Sequence, residues 1–142
     1  MPARPVTSCF VDTNIWLYAF IESDDPTKSA AARELIAEIE PIVSVQVVNE
    51  VCVNLLRRAA FSEDQIGRLI SSFYQRYVVV ELGQPVMMEA SRLRSRYSLS
   101  FWDSMIVAAA LQAGASVLYS EDMQHGWQLE EQLRVLDPFR SS

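Results

Sequence analysis

Four short apolar runs, separated from one another by stretches with helical spacing, limit the architectures open to this chain. They are Cys9-Phe10-Val11, Ile42-Val43-Ser44-Val45, Val78 to Leu82, and Ser116-Val117-Leu118-Tyr119-Ser120. Each has the length of a strand and is too short for an ordinary buried helix. The segments between them carry helix signals. Asp12-Thr13-Asn14 offers N-caps for a helix containing Ile15, Leu17 and Tyr18, and Asp24-Asp25-Pro26 marks a turn. Helix-favouring residues run from Thr27 towards Pro41, and Gln46 to Ala60 places Val47, Val48, Val51 and Leu55 on one side. Ser62-Glu63-Asp64-Gln65 is a capping-box pattern for a helix ending near Tyr77, and Gln84-Pro85 starts another. Ser100 caps a last helix that Gly114 stops.

Strands joined through helices need crossover connections, so the sheet should be mainly parallel and covered on both faces. The expected fold is α/β, a three-layer α/β/α sandwich with a four- to five-stranded sheet. Arg134-Val135-Leu136 supplies the fifth strand, at an edge. No repeat, low-complexity tract or linker divides residues 1–142, which read as one domain.

Half of the residues are hydrophobic and 21% are charged, a balance that excludes intrinsic disorder. No apolar run approaches the roughly 18 residues of a membrane span. The start, Met1-Pro2-Ala3-Arg4-Pro5, lacks the apolar core of a signal peptide. Cys9 and Cys52 lie in apolar surroundings without metal-ligand spacing and read as free core thiols. A cytoplasmic protein with no membrane partner is expected. The net charge of −6 speaks against retention on nucleic acid by bulk electrostatics. Residues 57 to 96 nevertheless carry seven arginines and four acids, a local balance of +3 on an acidic molecule. Arg92, Arg94 and Arg96 are candidates for phosphate contact.

Four acids fall at the carboxyl ends of the predicted strands or just beyond them. Asp12 closes the first run, and Glu50 follows the second by about one helical turn. Asp103 sits in the first turn of the apolar helix Ser104 to Leu111, and Asp122 follows the fourth run. Each has a plain structural alternative. Asp12 and Asp103 suit helix N-termini, Glu50 shares a stripe with Gln46 and Asn54, and Asp122 lies in a polar loop beside Glu121. Together they share one sheet edge, where ligands of open parallel sheets bind. Two carboxylates about 5 Å apart, at an effective dielectric near 20, repel by roughly 3 kcal/mol, so such a cluster needs cations. Oxygen ligands without a His or Cys cluster select Mg²⁺ or Mn²⁺, ions suited to in-line displacement at phosphorus.

These motifs carry a family resemblance. Phe10-Val11-Asp12-Thr13-Asn14, Glu50 after strand two, Phe101-Trp102-Asp103-Ser104 and Ser120-Glu121-Asp122-Met123-Gln124-His125-Gly126 resemble the PIN domain, and more narrowly VapC-type toxins of bacterial toxin–antitoxin pairs. The resemblance runs from residue 9 to about 138. It implies an Mg²⁺- or Mn²⁺-dependent endoribonuclease with RNA as substrate, a homodimer, and a cognate antitoxin whose C-terminal segment covers the active site. It also implies that Asp12, Glu50, Asp103 and Asp122 are catalytic and metal-binding. Asp12 and Asp103 would be the direct ligands, and Glu50 and Asp122 would hold the ion's waters or a second ion. Thr13, Asn14 and Ser120 are supporting polar residues. Only this resemblance favours Asp122 over Glu121.

Three alternatives stay open. A DNA-directed nuclease of the same fold would use the same acids. A catalytically silent dimerisation or binding module would use the apolar helices. A phosphatase with its nucleophilic Asp after strand one wants a second Asp two residues on, where this chain has Asn14.

Overall fold

The computed structural model describes residues 7–21 and 25–140. The expectations for Met1 to Pro5 and for Asp24 fall outside them. The elements in order are β1 (Ser8–Val11), α1 (Thr13–Phe20), α2 (Pro26–Glu38), β2 (Glu40–Ser44), α3 (Val45–Arg58) and α4 (Glu63–Arg76). There follow β3 (Val78–Val80), α5 (Gln84–Arg96), α6 (Phe101–Gln112), β4 (Val117–Tyr119), β5 (Gln128–Leu129) and β6 (Leu133–Leu136). The sheet has the order β3-β2-β1-β4-β6-β5. Every pairing is parallel except that of β5 with β6.

The chain steps outward from β1 to β2 to β3, then crosses back to β4 on the other side of β1. Right-handed crossovers therefore put α1 to α4 on one face and α5 and α6 on the opposite one. The reversal between β1 and β4 is the topological switch point, where open α/β sheets form their ligand crevice.

The local signals act as expected at several ends. Ser62 and Gln65 form the capping box of α4, and the Ser100 hydroxyl accepts from the Asp103 amide at 3.0 Å. Asp25 caps α2, with Pro26 at its first position. The sheet differs from expectation in having six strands. β6 is not an edge strand, because β5 pairs outside it after a tight reversal through Glu130 and Glu131, both at positive φ. β2 starts earlier than expected and includes Pro41. The Glu40 amide donates to Thr7 on the β1 side, so position 41 faces the β3 side, where pairing begins only at Ile42. The missing N–H of Pro41 thus leaves no ladder bond unmade. Val45, read as strand, is the first residue of α3, because the Ser44 hydroxyl caps the helix by accepting from Val47.

The core lies on both sides of β1 and β4. Phe10, Val11 and Leu118 are wholly buried, and Ile106 to Ala110 of α6 are buried all round. Side chains such as Leu118 each contribute about 1.5–3 kcal/mol by leaving water. Trp16 is anchored by its indole N–H, which donates to the Val11 carbonyl at 3.1 Å. It packs edge-on to Phe73 with ring centres 5.0 Å apart. Cys9 and Cys52 are free and buried. Among the described residues no helix is long and apolar enough to cross a membrane.

Candidate functional site

β1 delivers Asp12 to the switch point. The Asp12 amide continues the sheet by donating to Tyr119 of β4 at 3.0 Å, while its carboxylate turns to cap α1. One carboxylate oxygen accepts from the Thr13 amide at 2.7 Å, and the other accepts from the Ser120 hydroxyl at 2.9 Å. Ser120 is fully buried and also accepts from the Met123 amide at 3.3 Å, which fixes the loop after β4. The structural alternative for Asp12 is thus correct as far as it goes: it is a helix cap. It is more than a cap, because it is only 9% exposed and has no cationic partner among the described residues.

Burial pushes the Asp12 carboxyl above the usual carboxylate range. The bonds from Thr13 and Ser120 pull it back, and the charges of Asp122 and Asp103 push it up again. Asp122 is raised as well, first by partial burial, then by Glu121, Asp103 and Asp137. Three of the four predicted acids therefore act on one another through space.

The choice between Glu121 and Asp122 has a geometric basis. Glu121 forms an ion pair with Lys28 and accepts from the Tyr18 hydroxyl at 2.9 Å. Lys28 in turn lies over the rings of Tyr18 and Phe139, at 5.0 and 5.3 Å from their centres. Asp122 instead accepts from the Asn14 side-chain amide at 2.7 Å, a neutral partner that leaves its charge uncompensated. Lys28 and Tyr18 carry no sequence signal that they would reach residue 121.

Asp103 lies in the first turn of α6, partly buried, and borders a crevice together with Asp122. Glu50 is placed differently. It is half-buried on α3, and its carboxylate accepts from Asn54 of the same helix at 3.3 Å. The charges that act on Asp12 are those of Asp122 and Asp103. The stripe on α3 is only partly solvated, since Gln46 is buried and donates to the Trp102 carbonyl at 3.3 Å while Glu50 and Asn54 are half-buried. That bond ties the start of α3 to the start of α6.

The donor set fits a hard divalent cation in its chemistry. It consists of oxygens, its central carboxylate is desolvated, and the Thr13 hydroxyl beside it is buried without a partner among the described residues. It is not a ready-made cage. Among the described residues no three or more His, Cys, Asp or Glu side chains converge to hold an ion. Nor does size mark the site. A groove of about 820 Å³ between Trp16, Phe20, Ile36 and Val78 touches none of the four acids, whereas the crevice beside Asp103 and Asp122 is about 430 Å³. Asp103 and Asp122 thus border the smaller of the two.

The three candidate arginines are committed within the protein. Arg92 pairs with Glu89 and Glu130, at 2.9 and 2.6 Å, and Arg96 pairs with Glu130 at 3.3 Å. Arg94 donates to the buried Ser104 hydroxyl at 2.8 Å and stacks 3.7 Å from the centre of the Phe101 ring.

Comparison with known proteins agrees with this fold. The toxin–antitoxin complex from Klebsiella pneumoniae superposes with a TM-score of 0.70 at 18% identity, covering 94% of this chain and 99% of the other. Mycobacterium tuberculosis VapC20, a sarcin–ricin loop cleaving toxin, gives 0.66 at 21% identity, covering 80% and 89%. VapBC2 from Rickettsia felis, bound to a DNA fragment from its promoter, gives 0.63 at 16% identity, covering 92% and 100%. No curated protein matches. The PIN domain family model matches residues 9–125, from β1 to the loop after β4 that carries Asp122, and the chain belongs to the PIN domain family.

Proposed function

We propose that this chain is an Mg²⁺- or Mn²⁺-dependent endoribonuclease acting as the toxin of a toxin–antitoxin pair. The observation that carries the reading is Asp12: a nearly buried carboxylate at the switch point, pressed by two further carboxylates and without a cationic partner among the described residues. A structural carboxylate in that position would be expected to have a lysine or arginine. Asp12, Asp103 and Asp122 would hold the ion, with Glu50 as an outer residue reaching its waters. Mg²⁺ ordinarily keeps several waters, which suits acids that do not converge on one point. A bound ion supplies an activated water and neutralises charge on the leaving oxygen.

The chain's own residues do the positioning. Ser120 and the Thr13 amide hold Asp12 from two directions, and Asn14 holds Asp122 across the switch point. Gln46 fixes the first turn of α6 and with it Asp103. Support for RNA as substrate comes from VapC20, whose named target is the sarcin–ricin loop. Support for an antitoxin comes from the toxin–antitoxin complexes that share the fold. A homodimer and a cytoplasmic location belong to the same reading. A silent binding module would account for Asp12 as the cap of α1, but not for the two further carboxylates that press on it.

The test is digestion of total RNA, a sarcin–ricin loop oligonucleotide and a matched DNA by purified protein, with Mg²⁺, with Mn²⁺ and with EDTA. The proposal expects metal-dependent RNA cleavage that Asp12→Asn abolishes. Cleavage equal in EDTA, or equal in the variant, would remove it, and cleavage of DNA alone would move the substrate.

A further inference from the structure

The crevice beside Asp103 and Asp122 has features that the acids do not explain. Its other walls include Tyr97, Ser98, Gln124 and Trp127. Tyr97 and Trp127 pack edge to face, ring centres 5.5 Å apart at 85°, which makes a fixed aromatic wall. Both are held by backbone bonds, Tyr97 to Leu93 at the end of α5, and Trp127 to Gln124 and Val135. The Ser98 hydroxyl and the Gln124 side-chain amide have no hydrogen-bond partner among the described residues, and both residues are exposed. Among the described residues no lysine or arginine lines the crevice, and two carboxylates do.

These properties discriminate among the parts of a nucleotide. The scissile phosphate belongs with the ion that Asp103 and Asp122 would hold, and the remaining described walls offer no lysine or arginine to a second phosphate. A neutral, planar group with donors and acceptors on its edge finds an aromatic wall and two uncommitted polar side chains. Unpaired RNA bases are recognised in this way, by stacking and by hydrogen bonds to their edges. We infer that this crevice is a nucleobase subsite, receiving the base of a nucleotide next to the scissile phosphate, with Ser98 and Gln124 reading its edge. The inference rests on the ribonuclease reading, because it places the base relative to the acids.

The test uses an RNA oligonucleotide that the wild-type protein cuts, together with versions abasic at each nucleotide flanking the cut. The Ser98→Ala/Gln124→Ala double variant should raise KM about tenfold with kcat nearly kept, the scale of lost base contacts. On the oligonucleotide abasic at the matching position, wild type and variant should be cut equally, both below the variant on intact RNA, because the abasic site loses the stacking as well as the edge contacts. A variant indistinguishable from wild type on intact RNA, or an equal further loss on every abasic substrate, overturns the subsite while leaving the nuclease standing. Should wild type cut no RNA, the nuclease reading fails, and the subsite is decided by binding instead. The probes are then AMP, GMP, CMP and UMP, with ribose 5-phosphate as control, followed at the Trp127 indole N–H resonance. A shift with a nucleotide but not with the control supports the subsite. No shift with any nucleotide, or an equal shift with the control, overturns it.

Discussion

Replacing Asp12 with asparagine keeps the side chain's shape and removes its charge, so it measures what that charge costs the fold. The Thr13 amide can still donate to the remaining carbonyl oxygen, so the cap of α1 survives. With that oxygen on Thr13, the amide nitrogen faces Ser120, whose hydroxyl must turn to accept instead of donating, a loss of about 1 kcal/mol. Against this stand the repulsions from Asp122 and Asp103. At roughly 8 Å and an effective dielectric near 40, suited to partly exposed partners, each is about 1 kcal/mol. Relief of desolvation adds to the gain. The variant without metal should therefore be more stable by at least about 1 kcal/mol, or about 4 °C in Tm for a chain of this size.

The pH dependence has a definite sign. Burial raises the folded Asp12 pKa above its unfolded value, so between the two the native state binds more protons. Wild-type stability from this group falls as pH rises through that window and is regained on acidification. Thermal melts in EDTA from about pH 4, the unfolded aspartate value, upwards should show the variant's advantage growing with pH until the folded carboxyl has ionised. A variant several degrees less stable at the upper end, or an advantage that does not change with pH, would show that Asp12 is mainly a cap and the electrostatic reasoning is wrong.

Four further outcomes are expected. Asp122→Asn should reduce RNA cleavage by roughly 10–100-fold or more, while Glu121→Gln, which loses only the Lys28 and Tyr18 contacts, should stay within about threefold of wild type; equal losses would contradict the assignment. Arg94→Ala leaves the buried Ser104 without its donor and unstacks Phe101, and should lower stability by about 1–2 kcal/mol in denaturant unfolding. Gly114→Ala forces a side chain to φ +72° with nothing within 4 Å to clash, so its cost of about 1 kcal/mol should be backbone strain alone; an unchanged midpoint would count against that φ. Burial pushes the Cys9 thiol up to about 11, so it should resist iodoacetamide at neutral pH until the protein is unfolded, as read by mass spectrometry.

The parts of the fold legible in the sequence were those set by local rules. Ser62 with Gln65, Ser100 with Asp103 and Asp12 with Thr13 are caps whose donors and acceptors lie within four residues. The unbroken apolar run of α6 could only be buried. β5 escaped because it has two residues and owes its existence to pairing with β6, not to its own pattern. Pro41 hid the start of β2, since its tolerance depends on where β3 begins. At the site, strand ends located Asp12 and Asp122, but the facing of Glu50 was beyond reach. The Gln46, Glu50, Asn54 spacing looks the same whether the stripe meets water or the start of α6. The partners of Glu121 and the Tyr97–Trp127 wall come from residues distant in sequence that only the packed structure brings together.

The most direct measurement is the anomalous scattering of Mn²⁺ in crystals of the wild-type protein. A peak within bonding distance of the Asp12 carboxylate, absent in Asp12→Asn, is the predicted result. A fully ordered site with no peak there, at a manganese concentration that supports RNA cleavage, would contradict it.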